Sequence, residues 1–260
     1  MKNFQGYVDP GYLQKVAQIV SNYKTDSYRL MEIKHGHSVL DVGCGPGTDA
    51  VNLAKLVGSS GKVFGIDSDP EMIALAHTSL LNNEYGERIS YKVADAKELP
   101  FPENRFDASR CERVFQHLDQ PEAALAEMIR VTKSKGKIVV LDTDWSTLSI
   151  DTCEKDIENR LNRFRLASFI KNGYSGRELF RFFVSHEMQD VSIRICPVFQ
   201  TSYAVTRQGA LLDKLEQRAL ELNIISTDEL QRWHEDLENK EKRGTFFSCL
   251  NQIIVSASKP

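Results

Sequence analysis

Little in this chain points to disulfides, membranes or nucleic acid. Its five cysteines, Cys44, Cys111, Cys153, Cys196 and Cys249, are odd in number, widely spaced and never in a C-x-x-C pair. That excludes a disulfide framework and gives no zinc-site spacing. No apolar run approaches the ~20 residues that span a bilayer, and the opening Met1-Lys2-Asn3-Phe4-Gln5 has no apolar signal core, so a cytoplasmic protein without a membrane span is expected. Lys and Arg number 33 against 36 Asp and Glu, a formal net charge of −3. With no basic surplus to attract a phosphate backbone, nucleic acid is not an expected partner. No Pro/Gly/Ser-rich linker, repeat or low-complexity tract divides the 260 residues, so one domain with a sizeable core is expected.

Glycine is concentrated where it is informative. Val39-Leu40-Asp41-Val42-Gly43-Cys44-Gly45-Pro46-Gly47 is a short apolar strand carrying an acid, followed by a turn with glycine at every second position. Such a turn lets a ligand approach bare backbone where a strand hands over to a helix. It departs from the dinucleotide fingerprint G-x-G-x-x-G/A, because Thr48 stands where the third small residue belongs and glycine comes one residue early. A pyrophosphate held on backbone N–H groups would be repelled by Asp41. An ammonium or a sulfonium beside a ribose would be attracted.

These residues resemble a class I methyltransferase dependent on S-adenosylmethionine, and three further stretches carry the resemblance. Gly65-Ile66-Asp67-Ser68-Asp69 ends a second strand, with Asp67 following Gly47 by 20 residues, the spacing of a ribose-binding acid in doubly wound folds. Val93-Ala94-Asp95-Ala96 ends a third, and Arg105 to Cys111 reads as a fourth, followed by Phe115-Gln116-His117-Leu118. The resemblance implies cofactor binding by Asp41, Gly43, Cys44, Gly45, Gly47, Asp67, Ser68 and Met72, with the amino-acid end at Asp41 and Gly43 and the ribose at Asp67. It places Asp95 and Ala96 at the adenine, and Cys111 in the cleft wall. It covers residues 39–143.

The implied fold is a doubly wound, Rossmann-like, mostly parallel seven-stranded sheet with helical cap inserts. From Ser38 onward strands and helices alternate, as a parallel sheet covered on both faces requires. Helices are predicted over 48–57 and 122–131, and another from the Asp69-Pro70-Glu71 cap with Met72, Ile73, Ala76 and Leu80 facing the sheet. Residues 137–141 suit a central strand. Beyond Trp145 the reading gives helices over 153–171, 176–185, 208–223 and 227–240 and strands over 191–198 and 246–257. The expected organisation is an N-terminal helical lid over 1–37, a cofactor-binding core over 38–144 and cap inserts over 145–190 and 200–243.

His117 is the catalytic candidate, because an imidazole titrates near neutrality and this one lies just past the fourth strand. Its other reading is a helix-start histidine bonded to backbone. Asp142 and Trp145, with Asp144, end the fifth strand and could face substrate or cap the next segment. Tyr7 and Tyr12 could line the substrate pocket or pack the leading helix, whose Leu13, Val16, Ala17 and Val20 fall at helical spacing. Cys44 and Cys111 read as small apolar packing, and Glu112 with Arg113 as an internal ion pair. Arg160, Arg163 and Arg165 read as a solvated helix face, with recognition of an anionic substrate as the rival. His35 and His37 lack a third ligand nearby, so no metal is expected. The expected function is methyl transfer to an oxygen, nitrogen or carbon of a small, mostly apolar molecule, quinone-like or a secondary metabolite. The rival is a protein that binds the cofactor without transfer, as a cyclase or binding module.

Overall fold

The computed structural model describes residues 21–81 and 83–260, so Tyr7, Tyr12 and the lid helix built on Leu13 to Val20 lie outside the described residues. A seven-stranded sheet in the order β3-β2-β1-β4-β5-β7-β6 forms the centre. Its strands are β1 (Ser38–Val42), β2 (Lys62–Asp67), β3 (Ile89–Val93), β4 (Phe106–Glu112), β5 (Thr132–Ile150), β6 (Gln189–Gln200) and β7 (Ser248–Ser258). The first five pair in parallel, and β7 runs antiparallel to both β5 and β6. The chain order reverses between β1 and β4, so the carboxyl ends of these strands frame the crevice where such sheets bind ligands.

Helices cover both faces. α1 (Ser21–Leu30), α2 (Ala50–Val57) and α3 (Pro70–Ser79) lie on one side, where Leu53, Ala54, Ile73 and Ala76 pack on Val39, Val63 and Val139. α3 starts as its sequence dictates: Asp69 accepts the Glu71 N–H at 2.8 Å and Pro70 occupies the first turn. α4 (Pro121–Val131) and α6 (Ser175–Ser185) cover the other face, with Leu125, Met128, Leu179, Phe182 and Phe183 against Val140 and Val255.

The cap differs from the expected inserts in two ways. β5 does not end at Trp145 but continues, after an irregularity between Asp144 and Ser149, to Ile150, which still pairs with Ser248 of β7, and Trp145, Leu148 and Ile150 on this extension join the cap core. The predicted cap helix over 176–185 is instead a sheet-covering helix, α6, because Leu179, Phe182 and Phe183 give it one apolar face. The cap proper comprises α5 (Lys155–Phe164), the π-helical turn Arg165–Phe169, α7 (Tyr203–Gly209), α8 (Leu212–Glu221) and α9 (Thr227–Lys242). α7 and α8 replace one predicted helix, divided at Leu211, whose φ of 51° no α-helix accommodates. Ile157, Leu161, Leu215 and Leu237 surround the buried Trp233, whose indole N–H donates to Glu216 at 2.9 Å. A Ser226/Glu229 capping box starts α9. No helix among the described residues is long and apolar enough to cross a membrane.

Candidate active site

The turn after β1 holds Gly43, Gly45 and Gly47 at φ of 72°, 53° and 78°, the left-handed region that glycine enters without cost. Sterics close off any replacement at two of them. A Cβ on Gly43 would stand 2.1 Å from the Val114 side chain, and one on Gly47 would stand 2.2 Å from the Tyr91 hydroxyl. Asp67 ties this turn to β2: its carboxylate accepts the Gly45 N–H at 2.8 Å and the Asp69 N–H at 3.0 Å. Burial raises its pKa from the ordinary aspartate value, against the pull of those N–H donors.

A cavity of about 730 Å³ opens at the carboxyl ends of the strands and runs beneath the cap. It brings together Asp41, Gly43, Cys44, Gly45, Asp67, Ser68, Met72, Asp95, Ala96, His117 and Trp145. Gly47, Cys111 and Asp142 lie beside it without lining it. Cys44 and Cys111 are buried, and burial pushes both thiols well above their ordinary value, which leaves them inert packing groups.

Asp41 departs from the sequence reading. Its carboxylate does not face the cleft bare but lies 3.3 Å from Arg110, a fully buried guanidinium on β4. Arg110 also reaches Asp49 at 3.0 Å and Glu112, and Lys24 of α1 joins Asp49 at 2.9 Å to Glu112 at 3.4 Å. Glu112 is 3.6 Å from Arg113, so the pair read from the sequence exists, yet Arg110 is its closer partner. Burial works against the charge on Arg110, but Asp41, Asp49 and Glu112 outweigh it and hold the group well above its ordinary value. Asp49 is also desolvated, and Arg110 and Lys24 nevertheless pull it well below the carboxylate range. Burial drives Asp41 the other way, up to about 7, with Asp49 and Glu112 adding to the rise against Arg110. Asp41, Asp49 and Glu112 share Arg110, Lys24 and, on Glu112 alone, Arg113, so three carboxylates and three cations meet beneath the glycine turn. Nothing in the local pattern around Arg110 announces this cluster, since its members come from α1, the glycine turn and two strands.

The loop after β4 begins with Arg113 at φ 54°, a costly conformation that turns the chain into the cavity. His117 follows in a single 3₁₀ turn. Burial, together with the Arg113 and Lys171 charges, pushes its pKa down to about 4. Gln116 organises this loop: its side-chain oxygen accepts the Trp145 indole N–H at 2.6 Å, and its amide nitrogen is 3.2 Å from His117 Nε2. Asp142 accepts the Gln116 backbone N–H at 3.0 Å and that of Thr143 at 2.7 Å, so it positions the loop rather than facing substrate.

Of the three cap arginines, Arg160 binds Asp156 and Glu229 near the surface and Arg163 is exposed. Arg165 corrects the solvated-face reading: it is buried and lines the cavity. Among the described residues no three His, Cys, Asp or Glu side chains group as metal ligands.

The donor set fits a cofactor with an adenosine and a cationic amino-acid end. Asp67 and Asp95 stand at successive strand ends, and bare glycine backbone lies between them and the charge cluster. Residues 33–189 match a family described as methyltransferase domain. An uncharacterised 37.1 kDa transposon protein of Streptomyces fradiae is 31% identical over 95% of this chain and 70% of its own length. The ubiquinone/menaquinone biosynthesis C-methyltransferase UbiE of Hahella chejuensis is 36% identical over 48% of this chain and 50% of its own. In fold, the YcgJ protein of Bacillus subtilis is similar with a TM-score of 0.62 at 21% identity, over 93% of this chain and 98% of that one. The chain belongs to the methyltransferase domain family and is a class I methyltransferase that uses S-adenosylmethionine.

Proposed function

We propose that the protein transfers the methyl group to an oxygen, nitrogen or carbon of a small, mostly apolar molecule held beneath the cap. The observation that carries this reading is the continuous cavity, which joins the glycine turn and Asp67 to a floor built by Trp145, Leu148, Ile170 and Leu250. When bound, S-adenosylmethionine supplies a methyl group on a sulfonium, open to in-line attack by a nucleophile. The chain has then to orient that nucleophile and exclude water. The glycine turn takes the amino-acid end, whose ammonium meets the Asp41 carboxylate on the cavity wall. Asp67 takes the ribose hydroxyls with the lone pairs its backbone bonds leave over, and Asp95 and Ala96 border the adenine.

Asp67→Ala is expected to weaken S-adenosylhomocysteine binding by ~1 to 3 kcal/mol, since the ribose and the Gly45 N–H both lose a charged acceptor. Unchanged affinity by titration calorimetry would remove Asp67 from the site.

His117 contacts the acceptor as a neutral imidazole throughout the physiological range, because its pKa of about 4 leaves it unprotonated. His117→Ala is expected to lower kcat by ~10²-fold where a proton must leave the acceptor, with little change in cofactor affinity. The wild-type rate should show no limb near pH 6.5 from this residue. Such a limb, absent in the variant, would mean that His117 titrates in solution as an exposed histidine does.

The rival reading, cofactor binding without transfer, is tested with cofactor carrying a labelled methyl group and a panel of quinols, phenols and keto acids. Label that never moves, while the cofactor binds tightly, would favour the rival.

A further inference from the structure

The hydrogen-bonding contacts of the Gln116 side chain leave its amide a single orientation. Gln116 belongs to the 3₁₀ turn Phe115–His117 after β4, is buried and lines the cavity. Its side-chain oxygen accepts the Trp145 indole N–H at 2.6 Å. Its amide nitrogen lies 3.1 Å from the Arg113 carbonyl oxygen and 3.2 Å from His117 Nε2. An indole nitrogen can only donate, and a carbonyl oxygen can only accept. Turning the amide over would set donor against donor at Trp145 and acceptor against acceptor at Arg113, so the surrounding groups decide which end is nitrogen. One of its two hydrogens goes to Arg113 and the other to His117.

The state of the imidazole follows from that donor. A ring nitrogen that receives an N–H bond must offer its lone pair, so Nε2 carries no proton. In a neutral imidazole the proton then sits on Nδ1. Trp145 holds the far end of the amide and is itself part of the cavity wall, which ties the form of the ring to the pocket beneath the cap.

We propose that Gln116 is a positioning residue for methyl transfer, holding His117 as the neutral tautomer protonated on Nδ1 and fixing the place of its basic nitrogen, Nε2. The catalytic consequence rests on the reading that His117 meets the acceptor. A proton leaving the acceptor goes to Nε2 in exchange for the bond from Gln116. A hydrogen bond donated to the neutral form of a group disfavours its charged form, so the amide also sets how basic that nitrogen is. The charges that act on the ring, Arg113 on the same loop and Lys171 ahead of α6, are both cationic and work in the same direction. The groups around the ring thus hold a weak, aimed base rather than a charged imidazolium.

The test uses the full chain with ¹⁵N-labelled histidine and reads both ring nitrogens in long-range ¹H–¹⁵N spectra. Of the 6 histidines, His117 is the one whose signals vanish in His117→Ala. The wild type should show Nδ1 protonated and Nε2 bare, as one form, between about pH 5.5 and 8. Gln116→Leu removes the donor and should show both tautomers in exchange. Gln116→Glu keeps the shape but presents carboxylate oxygens, so a proton should sit on Nε2 and the proton affinity of the ring should rise about tenfold or more. The glutamate variant carries the test if the leucine variant does not fold. S-adenosylhomocysteine affinity should be unchanged in both, while transfer of a labelled methyl to the quinol, phenol or keto acid that accepts it should fall about tenfold in Gln116→Leu. A wild-type spectrum with Nε2 protonated or both forms averaged, a single Nδ1–H form surviving in Gln116→Leu, or a bare Nε2 in Gln116→Glu would each overturn the proposal. Lost S-adenosylhomocysteine binding in the variants, or transfer at the wild-type rate in Gln116→Leu, would do the same, since Gln116 would then not act through His117. His117→Ala transferring label as the wild type does would instead overturn the reading that His117 meets the acceptor, with the tautomer still decided by its spectrum.

Discussion

Arg110→Met is expected to destabilise the fold by ~3 to 5 kcal/mol, the usual cost of removing one partner from a buried ionic cluster, and to abolish measurable S-adenosylhomocysteine binding. Methionine fills much of the same volume, so the loss is electrostatic rather than a cavity effect. What remains is Asp41, Asp49 and Glu112 with Lys24 and, on Glu112 alone, Arg113, and three desolvated carboxylates cannot all stay ionised around two cations. The chain relieves the repulsion by taking up a proton or by opening the glycine turn, and the second route removes the cofactor site. The penalty should therefore shrink as the pH falls from 7 to 5, where the vacated carboxylates protonate. Denaturant unfolding at both pH values checks this. A loss under ~1 kcal/mol, the range of an exposed ion pair, would mean that the cluster does not hold the turn.

The cluster also marks the limit of what the sequence makes legible. The alternating core was readable because apolar runs, glycines and caps are local signals: the glycine turn, the Asp69-Pro70 helix start and the strand ends at Asp67 and Asp95 each occupy a few consecutive residues. Arg110 is satisfied by Asp49 and Asp41, 61 and 69 residues away in the chain, and no periodicity reports such a pairing. α6 and Arg165 are different, since a usable signal was present. Leu179, Phe182 and Phe183 stand at i, i+3 and i+4, a single apolar face that packs against a core. Ile157, Leu161, Phe164 and Arg165 stand at i, i+4, i+7 and i+8, so the arginine shares the buried face of α5. The course of β5 past Trp145 had no such signal, because Ser146 and Thr147 read as a turn and the cap core that recruits Leu148 and Ile150 is assembled from distant segments.

Asp142→Asn is expected to change how stability depends on pH, and the direction follows from burial. An unfolded aspartate has a pKa near ~3.9, whereas burial pushes Asp142 up to about 7 in the fold, against the N–H bonds from Thr143 and Gln116. Between those values the folded chain holds a proton that the unfolded chain has lost. Stability contributed by this group therefore falls as the pH rises through that window and levels off above it, by an amount on the order of 4 kcal/mol. Asparagine does not titrate, so the variant should gain on the wild type steadily from pH 4 to 7.5. Asp41, which is raised in the same direction, is present in both proteins and largely cancels in the difference. A stability difference that stays flat with pH in denaturant unfolding would contradict the raised pKa. The same substitution should act on catalysis separately. An amide offers one acceptor oxygen where the carboxylate accepts both Gln116 N–H and Thr143 N–H, so the Gln116 to His117 turn loses its anchor to β5. Turnover should fall while S-adenosylhomocysteine affinity holds, because the glycine turn and Asp67 make no contact with Asp142. A chain that retains a costly buried carboxylate to fix one loop is giving up stability for the placement of His117 and Trp145, which is where selection at an active site would accept that exchange.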